Sequence, residues 1–153
     1  MAAVPRAMIK SVAQRVLIGM RQAAVLAGAL CGMLFFFRAA RGQAVITWNV
    51  GSGNWSVSTN WSPGNVPDTT SENAVIGNGG TATLDAAFTI NNLALSSGTI
   101  NGAAELSLTG TGSTWTGGTM SGAGTTRVLT GGTFAINTGN PSLTNRNLAN
   151  AGT

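Results

Sequence analysis

The feature that most constrains this chain is an imperfect repeat of about 20 residues between Leu93 and Ile136. Residues 97–104 align with residues 117–124 at an offset of 20 and share two Gly, one Thr and one Ala. After one inserted residue, residues 108–110 align with residues 129–131. A repeat of this length, made of strand-sized apolar pieces and turn residues, is typical of a β-solenoid. The sequence therefore predicts an all-β chain of stacked parallel rungs.

Apolar residues alternate at a period of two in four short segments, which predicts strands with one inward face. These segments contain Leu84, Phe88 and Ile90, Leu93 and Leu95, and Leu106 and Leu108. Gly and Asn between them supply the positive φ angles that tight corners require. The pairs Asn78-Gly79 and Asn101-Gly102 would equally suit two-residue hairpins, so an antiparallel β-sandwich is the alternative fold.

Parallel stacking makes specific predictions about neighbouring rungs. Ile100 should lie over Met120, and Trp115 should lie near Phe134. The residues expected inside the solenoid are Leu106, Leu108, Val128 or Leu129, Phe134 and Ile136.

Residues 1–44 have the pattern of a helical secretory signal peptide. Basic residues precede an uncharged apolar run over residues 23–37, and Gly42-Gln43-Ala44 forms a small-x-small site that predicts cleavage after Ala44. The run is shorter than the roughly 20 apolar residues of a membrane-spanning helix, which favours export over a retained anchor. Met20 is an alternative start, since it would give a leader of ordinary proportions.

The charge distribution argues against nucleic-acid binding. The formal net charge is +4, but six of the eight basic residues lie in the leader. Residues 45–153 hold two arginines against four carboxylates, a net charge of −2. Two arginines cannot form a groove that neutralises a phosphate backbone. We therefore expect no nucleic-acid partner, and contact with a membrane only through the signal peptide during export.

An aromatic segment begins the predicted mature chain. The pattern Gly-x-Trp-x4-Asn-Trp-Ser-x-Gly-x-x-Pro over residues 53–67, followed by a short strand at residues 73–76, resembles the start of bacterial secreted β-solenoid surface proteins. These include adhesins and the passenger regions of autotransporter-like proteins. The resemblance implies a right-handed parallel β-helix whose N-terminal cap is residues 45–80 and whose rungs are residues 81–153.

Three tryptophans in this segment, Trp48, Trp55 and Trp61, have two interpretations. Exposed indole rings could stack on surface glycans, because an aromatic face gives a large apolar contact beside polar edges. Alternatively, they could cover the open end of the solenoid core, where strand edges and apolar side chains need shielding. No cluster of Asp, Glu, Arg or Gln accompanies them to bind sugar hydroxyls, which favours the structural cap.

Little in residues 45–153 suggests catalysis. This part contains no His, Lys, Tyr or Cys, so a Ser-His pair, a thiol nucleophile and the usual transition-metal ligands are missing. The four carboxylates are Asp68, Glu72, Asp85 and Glu105. Glu105 and Arg127 are expected to form a surface ion pair between neighbouring rungs. We predict no catalytic residue, no metal site and no cofactor.

Together these features predict an exported structural or adhesive scaffold, secreted or on a bacterial cell surface, that is not an enzyme. The alternatives are a carbohydrate-binding module and the non-catalytic start of a polysaccharide-degrading β-helix enzyme. Residues 147–153 end on a Gly-Thr pair like those that open earlier rungs. We therefore expect the chain to continue past Thr153, or to self-associate through an open solenoid end.

Overall fold

The computed structural model describes residues 42–137 and 139–153, and this part of the chain is an all-β solenoid of about four turns. The predicted signal peptide, apart from Gly42, Gln43 and Ala44, lies outside the described residues, as does the possible start at Met20.

The described residues form short strands joined by tight corners. In chain order these are β1 (Ala44–Trp48), β2 (Ser52–Asn54), β3 (Trp61–Ser62), β4 (Glu72–Ile76), β5 (Thr81–Thr83), β6 (Phe88–Ile90), β7 (Asn92–Leu95), β8 (Thr99–Asn101), β9 (Leu106–Leu108), β10 (Ser113–Trp115), β11 (Thr119–Ser121), β12 (Thr125–Val128), β13 (Phe134–Ile136), β14 (Ser142–Thr144) and β15 (Asn147–Asn150). One 3₁₀ turn, Ser58–Asn60, precedes β3.

Apart from β3, every third strand lies in the same sheet. Sheet A has the order β13-β10-β7-β4-β1-β3, sheet B the order β14-β11-β8-β5-β2, and sheet C the order β15-β12-β9-β6. Each triplet from β4–β6 to β13–β15 is thus one coil, and we number these four coils first to fourth. The solenoid fold predicted from the repeat is confirmed.

The register shows how far the repeat could be read from the sequence. Met120 lies beside Ile100, and Thr119 beside Thr99, as the offset of 20 predicts. The next alignment is wrong by one residue, because Leu108 lies beside Val128 and not beside Leu129. Val128 is 1% exposed, whereas Leu129 is half-buried. The inserted residue belongs to the corner after β12, so it does not shift the strand itself.

The antiparallel sandwich is excluded for the coils. β8 pairs in parallel with β5 and with β11, so Asn101-Gly102 is a corner between sheets and not a hairpin turn. Gly102 has a φ of 106°, which this corner requires and which glycine adopts without strain. Among the described strands, antiparallel pairing is found between β1 and β3, outside the repeated coils.

A single apolar core fills the interior, since alternate residues of each strand turn inward. Leu106, Leu108 and Val128 are buried as predicted, and Trp115 stacks on Phe134 with ring centroids 6.2 Å apart. Phe134 is only half-buried.

The prediction for Ile136 is wrong, because this side chain is 51% exposed. β13 is the outermost strand of sheet A, and the described chain places no further strand over it. Ile136 therefore lies in line with the core without being covered.

Glycines allow adjacent coils to approach closely at the corners beside sheet B. A Cβ atom on Gly118 would lie 2.5 Å from the carbonyl oxygen of Gly98, and one on Gly122 would lie 2.6 Å from that of Gly102. Both glycines also have a positive φ, of 78° and 83°. Stacked corners therefore require glycine for space as well as for backbone conformation.

Candidate functional site

The three tryptophans lie together at the N-terminal end of the core. Trp48, Trp55 and Trp61 are 1%, 0% and 2% exposed. Trp61 makes edge-to-face contacts with both of the others, at centroid distances of 4.8 Å and 4.6 Å. Two indole N–H groups are satisfied: that of Trp55 donates to the carbonyl of Pro67 at 3.0 Å, and that of Trp61 to the carbonyl of Trp55 at 2.8 Å.

The segment around Trp55 follows β2 directly, and its ring packs against β6, the first strand of sheet C. The Trp55 ring lies 5.7 Å from that of Phe88 in β6, and its backbone N–H donates to the carbonyl of Thr83 at 2.8 Å. A sugar ring needs an exposed aromatic face on which to stack. In this structure the three rings are enclosed by protein, so their packing favours the structural cap over the glycan contact.

Ala44, after which cleavage is predicted, is the first residue of β1. It lies beside Glu72, and its N–H donates to the carbonyl of Ser71 at 3.1 Å. Cleavage after Ala44 would leave the remaining four residues of β1, from Val45 on, as the start of the solenoid.

A ladder of amide side chains follows the edge where each coil enters sheet A. The Asn91 and Asn92 amides both donate to Oδ1 of Asn73, at 2.8 Å and 3.1 Å. Oδ1 of Asn92 in turn accepts the backbone N–H of Gly112 at 2.8 Å. These bonds join residues about one coil apart, so the ladder stabilises the stack and is already satisfied without a ligand.

Arg146 is a buried residue with a structural role that the sequence pattern did not predict. It is 4% exposed and donates to Oγ1 of Thr126 at 2.9 Å and to four backbone carbonyl oxygens. These belong to Gly102, Ala104, Ser121 and Thr125, at 3.3, 3.1, 3.5 and 3.0 Å. No carboxylate among the described residues pairs with it. Burial lowers the pKa of Arg146, but a guanidinium remains protonated in proteins.

Glu105 and Arg127 form the predicted surface ion pair between the second and third coils. Nε and Nη2 of Arg127 donate to the two carboxylate oxygens of Glu105, each at 3.1 Å. The hydrogen bond from Arg127 lowers the pKa of Glu105, and the same contact raises the pKa of Arg127. Both side chains are well exposed, so the pair contributes little to stability.

The other carboxylates also serve local structure. Oε2 of Glu72 accepts the backbone N–H groups of Asp68 and Thr69, both at 3.0 Å, and so closes the turn before β4. Asp85 accepts the hydroxyl and the backbone N–H of Ser56, which ties the cap to the first coil. Burial raises the pKa of Asp85, but the hydrogen bonds from Ser56 outweigh it and the net pKa is lowered.

No group of three His, Cys, Asp or Glu side chains within residues 42–137 and 139–153 is arranged to hold a metal ion.

None of the described helices has the length and apolar character needed to cross a membrane. A depression at the other end of the solenoid has a volume of about 50 Å³ and is lined by Val128, Phe134, Ile136, Leu148 and Asn150.

Comparison of the chain with protein-family models, with curated proteins and with solved structures found no match. The solenoid architecture is therefore shown by the structure of this chain alone. The likeness to adhesins and autotransporter passengers remains a prediction from the sequence pattern.

Proposed function

We propose that this protein is an exported structural or adhesive scaffold of the cell surface, without catalytic activity. The observation that carries the proposal is the stack of three parallel sheets, in which every strand of one coil pairs with the equivalent strand of the next coil. Such a stack is a rod whose outward side chains recur at regular intervals. A rod of this kind can act as a spacer or can present many weak contacts to one surface.

The absence of catalysis is proposed from the roles of the charged groups. Among residues 42–137 and 139–153, the carboxylates of Glu72, Asp85 and Glu105 accept hydrogen bonds that hold turns or join coils. The chain after residue 44 has no His, Lys or Cys to act as a base or nucleophile.

Export is proposed from the leader pattern, and it has a direct test. The full chain, with an epitope tag after Thr153, would be expressed in a bacterium, and its cellular fractions would be analysed by N-terminal sequencing and mass spectrometry. We expect the extracytoplasmic protein to begin at Val45. The matched control is Gly42→Trp, which places a bulky side chain in the small-x-small site and should block processing.

The result that would overturn this proposal is a full-length chain that stays in the cytoplasm and keeps residues 21–44. Protein that is exported and cleaved, but that shows hydrolytic or lyase activity on a polysaccharide, would refute the non-catalytic part alone. Peptides from residues 1–19 in the unprocessed precursor would exclude Met20 as the start.

A further inference from the structure

The outward face of sheet B has an unusual composition. In β5, β8 and β11 the middle residue is buried and the two flanking residues are turned outward and half-buried, and β2 and β14 align in register with these strands. All ten outward residues are Ser, Thr or Asn. They are Ser52, Asn54, Thr81, Thr83, Thr99, Asn101, Thr119, Ser121, Ser142 and Thr144. We call these ten residues the hydroxyl face.

The register arranges the hydroxyl face as two straight columns. One column contains Ser52, Thr81, Thr99, Thr119 and Ser142, and the other contains Asn54, Thr83, Asn101, Ser121 and Thr144. Neighbouring strands are about 4.8 Å apart, and alternate residues of one strand are about 6.6 Å apart. The face is therefore a grid of polar groups that repeats in two directions.

The other two sheets lack such a grid. The outward positions of sheet C follow the column Thr89, Ser107, Arg127 and Ala149, which includes a charge and a methyl group. Those of sheet A follow Thr47, Val75, Ala94 and Thr114. The neutral and uniform character of the hydroxyl face is thus a property of one sheet and not of the solenoid as a whole.

The side chains of the hydroxyl face are left largely free by the protein. Within the described chain, Ser121 is the member whose hydroxyl finds an acceptor, the carbonyl of Ile100 at 3.5 Å. The other hydroxyl groups of the face form no hydrogen bond within residues 42–137 and 139–153, and Oδ1 of Asn101 is buried without a partner. The face can therefore form hydrogen bonds with a ligand without first breaking internal ones.

The chemistry of the face selects among ligand classes. It holds no charged side chain, so it offers no counterion to a phosphate, an acidic polymer or a cation. It holds no aromatic ring on which a sugar could stack. A neutral, periodic grid instead complements a neutral ligand that is itself periodic in two directions.

Ice is such a ligand. The oxygen atoms on the prism faces of hexagonal ice repeat at spacings similar to those between strands and between the two columns. Threonine hydroxyls can bond to that lattice, while the methyl groups order the water between them. We propose that the hydroxyl face binds ice through these two columns, an inference that rests on the face alone and not on the proposed scaffold function.

The test measures how much of the purified full chain enters a slowly growing ice crystal, compared with the surrounding liquid. Thr119→Lys places a charged side chain in the centre of the face, where it should hold the lattice away. We expect this variant to lower the distribution ratio about tenfold, equal to about 1.4 kcal/mol. A matched control is Thr114→Lys, since Thr114 lies in the same coil, on sheet A, with the same half-buried environment.

The control should enter ice as the unchanged protein does, and circular dichroism should show both variants folded. The conservative variant Thr119→Ser, which retains a hydroxyl, should keep most of the ice binding. This result would show that a loss in Thr119→Lys is not the consequence of merely replacing Thr119. The proposal is overturned if the unchanged protein is excluded from ice like an ordinary soluble protein, or if Thr114→Lys reduces uptake as much as Thr119→Lys. Binding to crystalline cellulose or chitin without uptake into ice would also overturn it, in favour of a polysaccharide lattice.

Discussion

Trp55 is the residue on which the N-terminal end of the core depends most. Its indole is fully buried, donates to Pro67 and contacts both Trp61 and Phe88. Replacement by alanine should cost about 3–5 kcal/mol, because it removes a large buried ring and leaves the Pro67 carbonyl without its donor. Such a loss is a large part of the 5–15 kcal/mol that stabilises a typical domain.

Urea unfolding of Trp55→Ala followed by circular dichroism checks this prediction. Val57→Ala is the control, since Val57 lies in the same segment but is 41% exposed, and its replacement should change stability by less than about 0.5 kcal/mol. Equal stability of the two variants would contradict the cap. A folded Trp55→Ala protein that had lost saturable glycan binding would restore the sugar-contact interpretation.

Single residues also mark the limit of what the sequence predicts. The clustering of three tryptophans before the repeat was enough to suggest a cap at that end. Nothing in Thr144-Asn145-Arg146-Asn147 indicates a buried guanidinium, because its acceptors are carbonyl groups 21 to 44 residues away along the chain. Backbone carbonyls are present at every position and leave no composition signal, so this site could be found only from the structure.

At the scale of elements, Arg146 joins three successive coils. It lies in the fourth coil, and its donors reach Thr125, the first residue of β12 in the third coil, and the corner before β9 in the second coil. Arg146→Met should be strongly destabilising, since it keeps the apolar stem but leaves several buried carbonyls without donors, at about 1–3 kcal/mol each.

The measurement is the midpoint of urea unfolding, and the chain supplies a matched control in Arg127→Met. Arg127 is also an arginine near sheet C, in strand β12, but its ion pair with Glu105 is exposed. We expect Arg127→Met to unfold close to the unchanged protein. Similar midpoints for the two variants would show that the guanidinium contacts of Arg146 do not hold the coils together.

Corner lengths explain where the predicted register failed. Strand partners are 18 residues apart between β5 and β8, 20 between β8 and β11, and 23 between β11 and β14. This variation in spacing comes from the corners and not from the strands. The corners lie on the surface, where extra residues can be accommodated. A fixed offset of 20 correctly places Ile100 beside Met120 and Leu108 beside Val128. Leu129 is misplaced because the sequence alignment puts the extra residue before β12, whereas the longer corner is the one between β12 and β13, where the offset becomes 21.

At the scale of the whole molecule, the two ends of the described solenoid differ. The N-terminal end is closed by aromatic rings and by the antiparallel strand β3. At the other end Ile136 and Leu143 are 51% and 47% exposed. An uncovered row of strand edges can pair with another strand, so self-association through this end remains a prediction.

The central claim is that coils of about 20 residues stack in parallel, and cysteine cross-linking tests it most directly. Thr99 and Thr119 are register partners on neighbouring strands. Cα atoms at that spacing, about 4.8 Å, lie within the range that a disulfide bridges. The double variant Thr99→Cys/Thr119→Cys would be made with Cys31→Ala, so that the introduced pair are the only thiols.

We expect mild oxidation to close this disulfide within one chain, detected by mass spectrometry of the intact protein and by faster migration on a non-reducing gel. The comparison is Thr99→Cys/Ala104→Cys, because a hairpin at Asn101-Gly102 would place residues 99 and 104 opposite each other. In the parallel stack Thr99 lies in β8 and Ala104 lies in the corner that follows, not on a strand opposite it, so this pair should remain reduced. Closure of the 99–104 pair without closure of the 99–119 pair would contradict the solenoid.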